Sequence, residues 1–210
     1  MLDLSQIFTF TLICLAMVLT PGPNMIYLIS RSICQGHQAG FISLCGVAFG
    51  FIFYMLCASL GITALLMAIP YAYDAIRIGG ALYLIWLAWQ SFKPNGKSPF
   101  QVKNLPIDSN IRLFTMGFIT NLFNPKIVMM YLSLLPQFIK PDHGSVLSQS
   151  IFLGLIQIIV SVSVNGLIVL SAGSMALFLN KNPIWSNIQR WIMGTVLASL
   201  AVKILMDTKR

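Results

Sequence analysis

Long apolar stretches separated by short polar segments dominate the pattern along the chain. The stretches cover residues 5–30, 40–69, 75–92, 113–139, 147–179 and 190–206. An α-helix needs about 20 apolar residues to cross a bilayer, which is the scale of each stretch. The connections carry the Pro, Gly, Asn and charged residues typical of turns, and only the third connection is long. The pattern predicts an all-α integral membrane protein with six transmembrane helices.

The composition supports the same class. Apolar residues make up 57% of the 210 positions and charged residues 9%, whereas about a quarter of the residues in soluble domains are charged. The net charge of +8 comes from bases scattered between apolar runs, which favours contact with anionic membrane lipid over binding to nucleic acid. The start of the chain lacks the basic segment and cleavage site of a secretory signal, so we expect the first span to be retained.

The distribution of Lys and Arg predicts an orientation. Seven of them flank the spans on the side of the long connection and five on the side of both termini. Because basic residues are enriched on the cytoplasmic side, we expect both termini outside and the connection inside.

Two stretches resemble each other across the halves of the chain. Residues 10–28 and 114–132 are identical at six of nineteen aligned positions, including one proline in each. Three spans separate the copies, so equivalent helices run in opposite directions through the membrane. The sequence therefore predicts an inverted repeat of two three-helix units, residues 1–92 and 113–210, joined by a cytoplasmic loop at 93–112.

Both copies carry residues that interrupt a helix inside an apolar span. Prolines remove backbone donors, and broken backbone at membrane depth survives only where protein or a water-lined cavity satisfies it. Interrupted spans at matching positions of inverted halves indicate a transport site near the midplane. The predicted substrate-binding residues are Thr20, Pro21, Gly22, Pro23, Asn24, Asn121, Asn124, Pro125 and Lys126.

These polar side chains also have structural interpretations. Each asparagine could cap its own broken helix, and the Lys126 ammonium could extend to a membrane interface. As ligands, the carboxamides offer donors and acceptors to an ammonium or carboxylate, and Lys126 offers a positive charge.

The second span has a row of small residues. Gly46, Gly50 and Gly61 lie close to one helical face, a pattern that lets two helices approach closely. We expect helix packing there, either within the chain or in a homodimer.

Taken together, these motifs resemble the LysE/RhtB family of amino acid exporters over nearly the whole length. The resemblance is carried by Thr20-Pro21-Gly22-Pro23-Asn24, the glycines of the second span, Gly79-Gly80-Ala81-Leu82-Tyr83, Asn124-Pro125-Lys126 and Leu135-Pro136-Gln137-Phe138. It implies an inner-membrane permease that expels homoserine, threonine or other neutral amino acids, or lysine, driven by the proton gradient; we expect a neutral substrate of the threonine or homoserine type and no cofactor. The two halves around the interrupted spans predict transport by alternating access.

One feature departs from that family. Many relatives carry an acidic residue within the fifth span, where this chain reads Ser161-Val162-Ser163-Val164-Asn165, and no carboxylate lies deep in any span. Asp74, at the mouth of the third span, is the nearest candidate, but it lies within one turn of Arg77, and we expect a structural ion pair there. The identity of the coupling residue therefore stays open.

Other function classes have weaker support. The sequence shows no Ser/His/acid or Cys/His arrangement for an enzyme, and its four cysteines have no metal-binding spacing. The remaining alternatives are an exporter of a cation or another small metabolite, and a membrane protein that only binds partners.

Overall fold

The structure, a computed structural model, describes residues 3–20, 22–68 and 106–181, with single helical residues and adjacent pairs within 78–92 and 184–206. Most of the predicted third and sixth spans therefore lies outside the described residues, as do Pro21 and most of the connection 93–112. Throughout the described part the regular structure is helical.

The first apolar stretch forms two helices rather than one. Helix α1 runs from Leu4 to Leu19 and α2 from Pro23 to Gln35, and their axes differ by 55°. The predicted break is confirmed. Helix α2 continues past the expected end of the span at residue 30, because the guanidinium of Arg31 is buried and paired with Asp108.

Two long, continuous helices follow the pattern of the second and fifth stretches. Helix α3 runs from His37 to Ala68 and α6 from Val146 to Lys181. Their segments His37–Gly61 and Val146–Ala172, 25 and 27 residues long, are apolar and long enough to cross a membrane. Gly36 separates α2 from α3 with a φ of 87°, a conformation that glycine adopts readily.

The fourth stretch is also interrupted. Helix α4 runs from Asn110 to Leu122 and α5 from Pro125 to Met129, continuing as a π turn over Met130–Leu134 and a 3-10 turn over Leu135–Phe138. The two parts are bent by 54°. The predicted break before Pro125 is confirmed.

The irregular turns inside this segment differ from the single helix expected up to residue 139. Pro136 lacks an N–H group, and the N–H of Leu135 bonds instead to the carbonyl of Met130, five residues earlier. Helix α4 also begins earlier than the expected start of the span at residue 113, because Asn110 and Arg112 belong to the helix.

Apolar side chains cover both the interior and the outside of the helix assembly. Phe10, Phe51 and Tyr131 are among the largest fully buried side chains, whereas Phe8 and Leu167 are about two-thirds exposed, at 65% and 64%. In a bilayer these outer side chains would face lipid. With each bent pair counted as one span, the described residues contain four segments that are long and apolar enough to cross a membrane.

Helices α3 and α4 cross at two glycines. A Cβ built on Gly46 would lie 2.0 Å from the carbonyl oxygen of Phe114, and one built on Gly117 would lie 2.2 Å from that of Ser43. A Cβ built on Gly50 would lie 2.7 Å from the side chain of Asn121. Around Gly61, by contrast, no heavy atom of the described residues comes within 4 Å of such a Cβ.

Replacing Gly46 with alanine should therefore destabilise the protein strongly. The added methyl group meets backbone rather than a flexible side chain, so the helices must separate, at an expected loss of about 3 kcal/mol or more. Gly61→Ala is the matched control and should change stability by less than about 1 kcal/mol. Thermal unfolding of the purified proteins in detergent measures both. Equal melting temperatures for the two variants would contradict the close crossing.

Candidate functional site

The C-terminal end of α1 holds the amino group of Lys126. The last carbonyls of a helix have no intrahelical N–H partner and carry the negative end of the helix dipole. Nζ of Lys126 donates to the carbonyl oxygens of Met17, at 2.9 Å, and Thr20, at 2.6 Å. The side chain is buried, with 7% of its surface exposed. Lys126 therefore connects the start of α5, in the second bent span, to the break between α1 and α2.

Gly22 lies beside this amino group. A Cβ built on Gly22 would be 3.2 Å from Nζ of Lys126, so a larger residue would press on the ammonium. Pro23 then occupies the first turn of α2, where its missing N–H costs no hydrogen bond.

Asn124 shapes the second break. Its Oδ1 accepts a hydrogen bond from the backbone N–H of Lys126 at 3.1 Å, which caps α5 ahead of Pro125. This is the structural role that the sequence left open for the asparagines. Its Nδ2 is buried and has no hydrogen-bond partner among the described residues.

A pocket lies between the two breaks and α6. Its total empty volume is about 400 Å³, which includes the part open to the outside. The enclosed cavity volume is only about 20 Å³, which is room for about one water molecule. An amino acid can therefore enter only when the walls move apart. The lining consists of Cys14, Met17, Val18, Asn24, Met25, Phe51, Lys126, Ile127, Met130, Gln157, Ser161 and Asn165.

Asn24 is the pocket residue whose polar atoms lack partners. The side chain is 5% exposed, and neither its Oδ1 nor its Nδ2 has a hydrogen-bond partner among the described residues. A buried carboxamide without partners is costly and marks a place where a ligand or water bonds. Asn24 also lies in the first turn of α2, where backbone N–H groups have no intrahelical acceptor.

Three polar residues of α6 form the opposite wall. Gln157, Ser161 and Asn165 follow each other at intervals of four, so they share one helical face, and all are buried. Gln157 accepts a hydrogen bond from the Tyr131 hydroxyl at 2.6 Å and donates to Oγ of Ser161 at 2.9 Å. Nδ2 of Asn165 donates to the carbonyl of Ser161 at 2.8 Å.

The residues of this wall are not among the site residues predicted from the sequence, where the missing carboxylate was the prominent feature of the span. The signal that identifies them is the spacing of four between polar residues in an otherwise apolar helix.

The predicted site residues divide into two groups. Asn24 and Lys126 line the pocket, and Thr20 contributes its carbonyl to Lys126. Asn121 is fully buried against Gly50 on the face of α4 towards α3, outside the residues that line the pocket. Pro21 lies outside the described residues.

The described lining of the pocket carries a single positive charge. Among the described residues that line it, Lys126 is the one ionic side chain, and the remaining polar groups are carboxamides and a hydroxyl. In the described part of the chain no three His, Cys or acidic side chains come together as a metal site would require. The arrangement offers an ammonium, neutral hydrogen-bonding groups and apolar walls, which suit a zwitterion with an apolar side chain.

Comparison with known proteins identifies similar sequences. The family model described as LysE type translocator matches residues 15–208. An uncharacterized membrane protein of Pseudomonas aeruginosa is 27% identical over 150 residues, 68% of each chain. The leucine efflux protein of Salmonella typhimurium is 28% identical over 132 residues, 63% of this chain and 62% of the relative.

A further relative is the homoserine/homoserine lactone efflux protein of Salmonella typhimurium, 29% identical over 157 residues and 75% of each chain. The matches thus span between 62% and 75% of the relatives' own lengths, less than two thirds for the leucine efflux protein. No solved structure matches the chain.

Proposed function

The chain belongs to the LysE type translocator family, and from this premise we propose that it exports neutral amino acids from the cytoplasm. Relatives named for leucine efflux and for homoserine efflux support an amino acid as the substrate. The observation that carries the proposal is the pocket at the two helix breaks. There the carboxamide of Asn24, which has no hydrogen-bond partner among the described residues, and the amino group of Lys126 lie beside apolar walls.

The walls favour an aliphatic substrate side chain. Met17, Met25, Phe51 and Met130 are buried and line the pocket, and flexible methionine side chains adapt to branched aliphatic groups. Because the described lining holds no carboxylate, a second positive charge on the substrate would find no counter-ion. We therefore propose leucine-like and other small neutral amino acids over lysine.

The transport cycle that fits this site is alternating access. Two bent spans meet at the pocket, and its present size admits no amino acid, so the halves must separate towards one side and then the other. This proposal includes six transmembrane helices as an inverted repeat, with units at residues 1–92 and 113–210 and a cytoplasmic loop at 93–112. It also includes the inner membrane as the location, with both termini outside.

Efflux of labelled amino acids tests the function. Cells that produce the protein, preloaded with a panel of labelled amino acids, should release leucine and similar neutral species faster than cells that lack it. Lysine efflux should be the same in both. If no amino acid in the panel leaves faster, the export function is wrong, and faster efflux of a metal cation would favour the cation exporter instead.

A further inference from the structure

The amino group of Lys126 occupies the carbonyls at the end of α1, the place where a substrate ammonium would also bind. We propose, on the basis of the export function above, that Lys126 is the proton carrier of the transport cycle. In this scheme the ammonium of the substrate displaces that of Lys126 from the carbonyls of Met17 and Thr20, and Lys126 gives up its proton as the amino acid binds.

The two carbonyls are the strongest acceptors that the site offers to an ammonium. They lie at the C-terminal end of a helix, where the dipole favours a cation, although the carbonyl of Met17 also accepts the N–H of Thr20 at 3.2 Å. The other side-chain oxygens of the described lining belong to neutral carboxamides and the Ser161 hydroxyl. Gln157 and Ser161 are already bonded to each other. A substrate ammonium that enters the pocket therefore competes with Lys126 for the same place.

Both cations cannot stay in the pocket together. Two like charges held side by side in a largely apolar pocket repel each other strongly, and no carboxylate of the described lining offsets the repulsion. Loss of the proton from Lys126 removes one charge. The resulting neutral amine can remain in the pocket as an ordinary hydrogen-bonding group.

The substrate carboxylate has a separate place to bind. Nδ2 of Asn24 is buried without a partner among the described residues, and the first turn of α2 presents N–H groups beside it. This position is on the α2 side of the break, whereas the two carbonyls belong to the α1 side. A zwitterion can therefore span the break with one charged group on each half-helix.

The proposed cycle exchanges one outgoing amino acid for one incoming proton. On the cytoplasmic side, Lys126–NH₃⁺ becomes Lys126–NH₂, the proton goes to cavity water, and the amino acid binds as a zwitterion. The loaded pocket carries no net charge from these groups when it opens outwards. After the amino acid leaves, Lys126 takes a proton from the outside and carries it inwards. One amino acid thus leaves for each proton that enters.

The other titratable groups near the pocket do not substitute for Lys126. Helix α1 contributes the Cys14 thiol, and the π turn contributes the Tyr131 hydroxyl, which is bonded to Gln157. Helix α2 contributes the guanidinium of Arg31, which is paired with Asp108 ahead of α4. From α3 and α6 the described lining residues are Phe51 and the neutral polar row.

Proton release on binding tests the assignment. The purified protein in detergent and weak buffer, titrated with leucine, should release about one proton per bound amino acid, and by linkage its affinity should rise with pH. 4-Methylpentanoate, which is leucine without its amino group, should release no proton. Lys140→Met is the control, because Lys140 is partly exposed outside the pocket and pairs with Asp3; it should behave as the wild type.

Two variants at Lys126 complete the test. Lys126→Met should bind leucine without proton release and without pH dependence. Lys126→Arg keeps a charge that it cannot give up, and it should bind leucine about tenfold more weakly or worse. Proton release that persists in Lys126→Met would overturn the assignment, as would leucine binding to the wild type without release. If leucine and every other amino acid of the efflux panel fail to bind, the export function itself is wrong.

Discussion

Asn24→Leu should reduce amino acid export at low substrate concentration by about 30-fold or more. The two side chains have similar volume, so the substitution removes hydrogen-bonding capacity and leaves the shape of the pocket nearly unchanged. The lost interactions are those of a buried carboxamide with a charged group of the substrate, each worth about 1.5–3 kcal/mol. Initial rates of labelled leucine export from preloaded vesicles or cells measure the effect.

The same substitution should raise the stability of the substrate-free protein. Oδ1 and Nδ2 of Asn24 are buried without partners among the described residues, and an apolar replacement removes their desolvation cost of about 1–3 kcal/mol. Gain of stability with loss of transport is the signature of a binding residue. Thr11→Val is the control, since its hydroxyl bonds within α1 to the carbonyl of Ile7, and it should export normally. An Asn24→Leu protein that melts earlier than the wild type would indicate a structural role instead.

The positions of the two helix breaks could be predicted from the sequence because they depend on nearby prolines and not on distant contacts. A proline-containing segment within an apolar span has few conformations open to it, and both bends occur where they were predicted. The ends of the elements were harder. Arg31 looked like a boundary residue, since a charge next to an apolar run normally marks the interface, but its partner Asp108 is 77 residues away in the sequence. No local pattern identifies such a pair.

The pocket residues also divide into those that local sequence predicts and those that it does not. Asn24 and Lys126 could be predicted because they adjoin the breaks. The row of Gln157, Ser161 and Asn165 lies in an unbroken helix, where buried polar groups also serve as packing contacts between helices. Only the structure places this row opposite the breaks. Asn121 shows the converse, since it adjoins a break in sequence while its side chain lies against Gly50.

The ion pair of Arg31 and Asp108 joins the C-terminal end of α2 to the segment that precedes α4. Nη2 of Arg31 donates to Oδ2 of Asp108, and its Nη1 donates to the carbonyl of Pro106 at 3.0 Å. Gln35 exchanges two hydrogen bonds with the backbone of Asp108, at 2.6 and 3.0 Å. Arg112 adds a contact of 3.2 Å from the exposed side. These bonds join the end of α2 to the residues that precede α4.

Asp108→Leu should therefore destabilise the protein by about 3–5 kcal/mol, because it leaves a buried guanidinium without its counter-ion. The double variant Arg31→Leu/Asp108→Leu should recover most of this loss, since no unpaired charge remains. Thermal unfolding in detergent measures both. Lys140→Met is the control, because its ammonium makes a partly exposed contact with Asp3 that should contribute less than about 1 kcal/mol. A double variant as unstable as Asp108→Leu would show that the hydrogen bonds to Pro106 and Gln35, rather than charge pairing, hold α2 against α4.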